Sequence, residues 1–184
     1  KVMFAYVNSF MDNLIPMGVS LLSACLKRSG HEVAIFDTTF YRTRDKTGDE
    51  SRFEALQVRK TNLEDYGITA EKGDMVEDFH TKISEFKPDL IGFSVVEPTY
   101  DIALRLLNSV KGSGIPTIVG GPQATMGLED VLQDDSIDMI CVGEGERAIV
   151  ELADRIQKKK DYSSIPNIWV KKNGQIVKNP LGPL

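Results

Sequence analysis

The sequence predicts a doubly wound α/β domain, a parallel sheet with helices on both faces. Three observations carry this expectation. Short, β-rich apolar runs alternate with stretches of helical periodicity, the pattern left by strands buried on both faces and by the helices that cover them. The first two runs enclose an amphipathic stretch and so read as a β-α-β unit. The length, 184 residues, suits one domain of roughly 150 residues with a short remainder, and rules out two independent catalytic domains.

Residues 2–7 form the first expected strand. Pro16 suits a first helical turn, where its missing N–H would be unpaired anyway; Val19, Leu22 and Leu26 then recur on one face, and Gly30 supplies a left-handed stop. Residues 31–36 are the second strand. The next connection, residues 38–87, is too long for an ordinary crossover. Met75, Phe79, Ile83 and Phe86 make its second half a helix. Residues 41–65 are charged and weakly periodic; they read as an insertion, expected at the ligand-binding edge of the sheet and more mobile than the strands. The third strand, residues 90–95, leads into a helix lined by Ile102, Leu106 and Val110 and ended by Gly112. Residues 117–119 and 139–142 are the fourth and fifth strands. A last helix carries Ile149, Leu152, Ala153 and Ile156 on one face. Glu144 and Glu146 lie near its start and Lys158, Lys159 and Lys160 at its end, the charge order a helix dipole favours. Residues 167–177 then read as a hairpin about Asn173-Gly174, assigned to whatever follows the five-stranded sheet. The expected division is residues 1–160 as the domain and residues 161–184 as linker and hairpin.

With 41% hydrophobic and 27% charged residues the composition is that of a globular domain, and 27 acidic against 22 basic residues leave a net charge of −5. That balance argues against a nucleic-acid partner, since duplex binding draws on many cationic phosphate contacts. No apolar run approaches the roughly 20 residues that span a bilayer, and no signal pattern opens the chain, so a cytoplasmic location away from membranes is expected. A first residue other than Met and the ending Asn179-Pro180-Leu181-Gly182-Pro183-Leu184 read as cuts in a longer polypeptide. Cys25 and Cys141 lie in apolar stretches far apart, which suits buried thiols, and neither has a metal-ligand neighbour at useful spacing.

In an open α/β sheet ligands bind at the carboxyl ends of the strands, which directs attention to the loops after strands one, three, four and five. These loops hold no His, no Ser beside a base, and no close carboxylate pair except Glu144 and Glu146. They hold glycine, a hydroxyl and small residues. Any one of Gly120, Gly121, Gly143 and Gly145 is accounted for by a turn of the chain, but glycines in two adjacent loops also let a large ligand approach the backbone. Neither G-x-G-x-x-G nor G-x-x-x-x-G-K-[ST] occurs, which disfavours a mononucleotide.

Five segments in order complete the pattern. They are Ile15-Pro16-Met17-Gly18; Ser29-Gly30-His31-Glu32-Val33; Pro88-Asp89-Leu90-Ile91-Gly92-Phe93-Ser94; Gly120-Gly121-Pro122-Gln123-Ala124-Thr125; and Val142-Gly143-Glu144-Gly145-Glu146. The set resembles the cobalamin-binding domain of cobalamin-dependent radical S-adenosylmethionine proteins over residues 2–156. The tail, residues 165–184, is similar to the segment that joins this domain to the radical domain. The resemblance implies a flavodoxin-like sheet, with the corrin on the carboxyl rim and the dimethylbenzimidazole tail in a slot between sheet and helices. By motif position Ser94, Val95, Val96, Glu97, Pro98 and Thr99 would line that slot. Gly120 and Gly121, with Pro122, Gln123 and Ala124, would give the tail room, and Gly143, Glu144 and Gly145 would close the far side. Chemistry agrees that a tail with a phosphate, a ribose and a flat base wants hydroxyl and backbone donors, a glycine floor and apolar walls. Ser94 could donate to a tail nitrogen or cap local backbone, and Thr99 could be a helix cap.

One departure bears on the metal. Methionine-synthase-like domains carry Asp-x-His-x-x-Gly after the first strand, whose His binds cobalt from below. Here Asp12 is followed two residues later by Leu14, and neither His31 nor His80 lies on the carboxyl rim. The resemblance then implies base-off cobalamin without a histidine ligand, its lower face covered by Asn8, Ser9, Phe10, Met11 or Leu14. It also implies a downstream domain with a CxxxCxxC-bound [4Fe-4S] cluster that cleaves S-adenosylmethionine, methylcobalamin delivering a methyl group to an unactivated substrate. The fragment itself would bind rather than turn over. Two other readings stay open, a cobalamin-responsive regulatory module and a degenerate interaction domain that binds nothing.

Overall fold

The computed structural model describes residues 1–10, 15–59 and 61–182. Five strands run parallel: β1 (Val2–Tyr6), β2 (Val33–Asp37), β3 (Leu90–Ser94), β4 (Thr117–Gly120) and β5 (Met139–Cys141). Each lies within two residues of its expected ends. β6 (Ile168–Lys172) and β7 (Gln175–Val177) continue the same sheet antiparallel, in the order β2-β1-β3-β4-β5-β6-β7. The sheet thus has seven strands where five are expected. The hairpin turn forms at Asn173-Gly174, both at positive φ, but the hairpin pairs with β5 instead of leaving the sheet. The reason is twofold: β5 would otherwise present an open edge, and Ile168 and Val170 have an apolar face to bury there, at 0% and 3% exposure.

Side-chain alternation divides the core. Met3, Ala5, Ile91, Phe93, Val95, Val119 and Ile140 point to one face, covered by α3 (Met75–Phe86), α4 (Tyr100–Val110) and α5 (Pro122–Gln133). Val2, Phe4, Leu90, Ile118 and Met139 point to the other, covered by α1 (Met17–Arg28) and α6 (Glu146–Gln157) through Val19, Leu26, Ile149 and Leu152. Fully burying one such Leu or Ile contributes about 1.5–3 kcal/mol, so these contacts, more than helix propensity, hold the helices in place. α5 is not apparent in the sequence because it opens on Pro122 directly after two glycines and carries Gly127, signals that read as loop.

The insertion is partly structured. Thr47 and Glu50 form a capping box that starts α2 (Gly48–Glu54), of which no residue is buried. Its entry is tied down: the Tyr41 hydroxyl donates to Asp78 on α3 at 2.8 Å, and Arg44 reaches the Pro98 carbonyl and Asp101. Residues 51–59 are exposed throughout. No helix among the described residues is long and apolar enough to cross a membrane.

Candidate functional site

Alternation also builds the site. On the α1/α6 face, successive same-side positions at the carboxyl ends of the strands are Phe4 on β1, Gly92 and Ser94 on β3, Ile118 and Gly120 on β4, and Cys141 on β5. Parallel register sets Phe4 beside Gly92, Gly92 beside Ile118, and Ser94 beside Gly120. The missing side chains of Gly92 and Gly120, diagonal to each other on adjoining strands, leave a trough, and α1 and α6 roof it with Leu21, Leu22 and Ile149. The result is a cavity of about 220 Å³ opening at the carboxyl rim, its lip formed by Gly143, Glu144 and Gly145.

The glycines differ in role. A Cβ on Gly120 would meet only the Cys141 Cβ, at 3.7 Å, so that position is open space. A Cβ on Gly92 would fall 2.8 Å from the Phe4 ring, which leans over Gly92 and closes the inner end of the trough. Gly121, expected to make room for a ligand, borders the cavity and also has a backbone role. Its φ is +98° and an added Cβ would strike the Val95 carbonyl oxygen at 2.7 Å, so Gly121 is required by the turn that enters α5.

Among the expected residues, Ser94, Gly120, Gly121, Gly143, Glu144 and Gly145 border the cavity. The others lie elsewhere. Val95 points to the opposite face and is 1% exposed in its core, and the buried Thr99 donates its hydroxyl to the Val96 carbonyl at 3.2 Å, capping no helix. Val96, Glu97 and Pro98 stand exposed on the rim. Pro122 and Gln123 begin α5, and Ala124 is buried in the opposite core, because α5 packs on the other face of the sheet. Asn8 is buried and clamps β1 to the end of β2, its Nδ2 donating to Thr39 at 3.0 Å and its backbone exchanging 2.7 Å bonds with the Thr38 hydroxyl. Ser9 and Phe10 border a separate polar cavity of about 160 Å³ against the insertion, whose cations Arg44 and Lys46 are already paired with Asp101 and Glu54. Met11 and Leu14 lie outside the described residues. Sequence reasoning missed Phe4, Gly92, Leu21, Leu22, Cys141 and Ile149. The alternation of Gly92 with Ser94 and of Ile118 with Gly120 held the signal.

The slot is apolar with few polar groups. Ser94 supplies a hydroxyl from the floor, and backbone of the glycine loops supplies the rest. Burial, with Glu146 and Glu144 adding negative charge, pushes the Cys141 thiol up to about 12, so at neutral pH it is a neutral, unreactive wall. His31 is remote: its side chain packs against α6 and meets Asp154 at 3.1 Å near the amino end of β2. No group of His, Cys, Asp and Glu among the described residues could hold a metal ion.

A doubly wound sheet with a glycine-floored apolar slot at its carboxyl rim defines a ligand-holding α/β module. The sequence profile of the B12 binding domain matches residues 5–153, and the chain belongs to that family. It is 24% identical over 177 residues to the cytidylyl-2-hydroxyethylphosphonate methyltransferase of Streptomyces wedmorensis, covering 92% of this chain and 30% of that protein. It is 29% identical over 124 residues to the anaerobic magnesium-protoporphyrin IX monomethyl ester cyclase of Rubrivivax gelatinosus, covering 63% of this chain and 22% of that one. Among solved structures, the radical S-adenosylmethionine methyltransferase TsrM of Kitasatospora setae, with cobalamin and a [4Fe-4S] cluster bound, matches the whole chain and 29% of its own with a TM-score of 0.72 at 20% identity. The chain spans less than a third of the length of the curated relatives it matches.

Proposed function

We propose that this domain holds cobalamin with its nucleotide tail in the slot, as the cofactor-carrying module of a radical S-adenosylmethionine enzyme. The observation that carries the reading is the open floor at Gly120 beside Ser94, ended by the Phe4 ring over Gly92 and roofed by Leu21, Leu22 and Ile149. A volume of about 220 Å³ is below the roughly 300–1,000 Å³ of a pocket for a whole drug-sized ligand. It suits one flat bicyclic base, with the corrin outside on the rim.

In this reading the chain's residues bind and orient. Ser94 donates from the floor to an acceptor on the base, Phe4 stops it at depth, and Gly120 lets it lie against the sheet. Cys141 stays a neutral wall and Glu144 and Glu146 add negative charge beside it, which favours a neutral aromatic occupant over an anion. Cobalamin, when bound, supplies a cobalt that carries a methyl group. The radical domain, with its [4Fe-4S] cluster and S-adenosylmethionine, belongs to other parts of a longer chain. Methyl transfer to an unactivated substrate is the activity we assign to that whole.

Titration with hydroxocobalamin and with cobinamide, which lacks the nucleotide tail, tests the reading by the shift of the visible absorption bands. Hydroxocobalamin is expected to bind at least tenfold more tightly, since a seated base adds apolar burial and a hydrogen bond worth about 0.5–1.5 kcal/mol. Equal affinity would refute the tail-in-slot reading, and no binding of either would refute the cobalamin module.

A further inference from the structure

Asn167 sits between the slot lip and the last described segment, and every polar atom it has is engaged. Toward the lip, its carbonyl accepts from Val142 N at 2.7 Å and its Nδ2 donates to the Glu144 carbonyl at 2.8 Å. Toward the other side, its N–H donates to the Pro180 carbonyl at 3.0 Å and its Oδ1 accepts from Gly182 N. The residue is 9% exposed and has φ +68°, a backbone state that costs most side chains strain and that Asn tolerates. Nearby, Asn179 is fixed independently, its Nδ2 donating to the Ser163 and Ile168 carbonyls and its own carbonyl accepting from Trp169 Nε1. Leu181, 66% exposed, has a methyl group 3.9 Å from where a Cβ of Gly143 would stand, so the segment leans on the lip itself.

Such an arrangement is more than a strand end needs. A residue that divides four hydrogen bonds equally between a ligand-facing loop and a departing segment makes the two move together. We propose that Asn167 is a positioning residue that latches residues 179–182 to the lip at Gly143 and Glu144, so that an occupant of the slot sets the direction of this segment. The inference rests on the cobalamin reading for the identity of the occupant and, through it, of the radical domain to which the segment leads. Its consequence is specific: cofactor loading holds the following domain more firmly in the orientation that the latch sets.

The test is amide-resolved hydrogen exchange on the 184-residue chain, with and without saturating hydroxocobalamin, for the parent, Asn167→Gly and Asn167→Asp. Glycine keeps the positive φ and removes only the two side-chain bonds. Aspartate keeps an acceptor for Gly182 N and loses the donor to Glu144. In the parent, bound ligand is expected to slow exchange at Gly182 about tenfold, the scale of one hydrogen bond held more firmly. Asn167→Gly should bind within about threefold of the parent and lose that response, and Asn167→Asp should keep basal protection at Gly182 without responding to ligand. An undiminished response in Asn167→Gly, or none in a parent that binds, overturns the proposal. A natively folded Asn167→Gly that binds more than about tenfold worse overturns it too, since Asn167 would then be shaping the slot itself. If the parent does not bind hydroxocobalamin, the cobalamin reading fails and the latch is judged without ligand. Asn167→Gly must then speed exchange at residues 143–145 and 182 together, and loosening of one side alone sinks it.

Discussion

Substituting valine at Gly120 and at Gly121 separates binding from folding within two adjacent residues. At Gly120 the new side chain points into the slot, where its Cβ has only Cys141 near it at 3.7 Å. Folding should not suffer: Gly in a strand is unfavourable, and a β-branched replacement contributes up to about 1 kcal/mol, or a rise of roughly 2–4 °C in Tm for a chain this size. The ligand meets the same three carbon atoms as an obstruction. Overpacking of about 1–3 kcal/mol translates into a loss of affinity of roughly 5- to 150-fold. At Gly121 the order reverses. Valine there must adopt φ near +98° with its Cβ at 2.7 Å from the Val95 carbonyl oxygen, so it cannot be accommodated without moving β3's end. A cost of about 3 kcal/mol lowers Tm by roughly 6–12 °C. Thermal melts followed by circular dichroism, paired with hydroxocobalamin titration, check both. A Gly120→Val protein that binds like the parent, or that melts well below it, would refute the assignment of Gly120 to open slot space; a Gly121→Val protein with parental Tm would refute the turn argument.

Gly92→Ala should cost about 1–3 kcal/mol by driving a Cβ to 2.8 Å from the Phe4 ring, and Phe4→Leu in the same chain should recover part of the lost urea midpoint; additivity of the two changes would show that they do not share the contact. Electron paramagnetic resonance of the Co(II) form should show base-off cobalamin without nitrogen superhyperfine structure, because His31 is held by Asp154 away from the rim; a threefold splitting that vanishes in His31→Ala or His80→Ala would overturn this. The Cys141 thiol, raised to about 12, contributes stability that is complete below the unfolded value near 9 and is lost as pH climbs from there toward about 12. Cys141→Ala should therefore flatten the fall of the urea midpoint between pH 9 and 11, and an unchanged fall would refute it. Amides of residues 51–59, exposed throughout, should exchange faster than those of Leu90–Ser94; equal protection would show an anchor beyond Tyr41 and Arg44.

The α/β class and the five parallel strands were legible because burial on both faces writes continuous apolar runs, and because Gly30 and Gly112 punctuate the helices in single-letter form. The resemblance to the cobalamin-binding domain was legible for a related reason, since its motifs are runs of consecutive residues. Three things were not. The hairpin's place in the sheet depends on β5 having an open edge, which exists only once the strand order is known. The slot depends on Gly92 and Gly120 sharing one face of β3 and β4, 28 residues apart in the chain but diagonal to each other across the two strands in space. The difference between Gly120 and Gly121 depends on which one faces open space and which one Val95. A sequence names the residues at each strand end and their alternation, but register, strand order and the helices above the sheet decide which gaps coincide. A cavity is a property of coinciding gaps, and only tertiary structure brings them together.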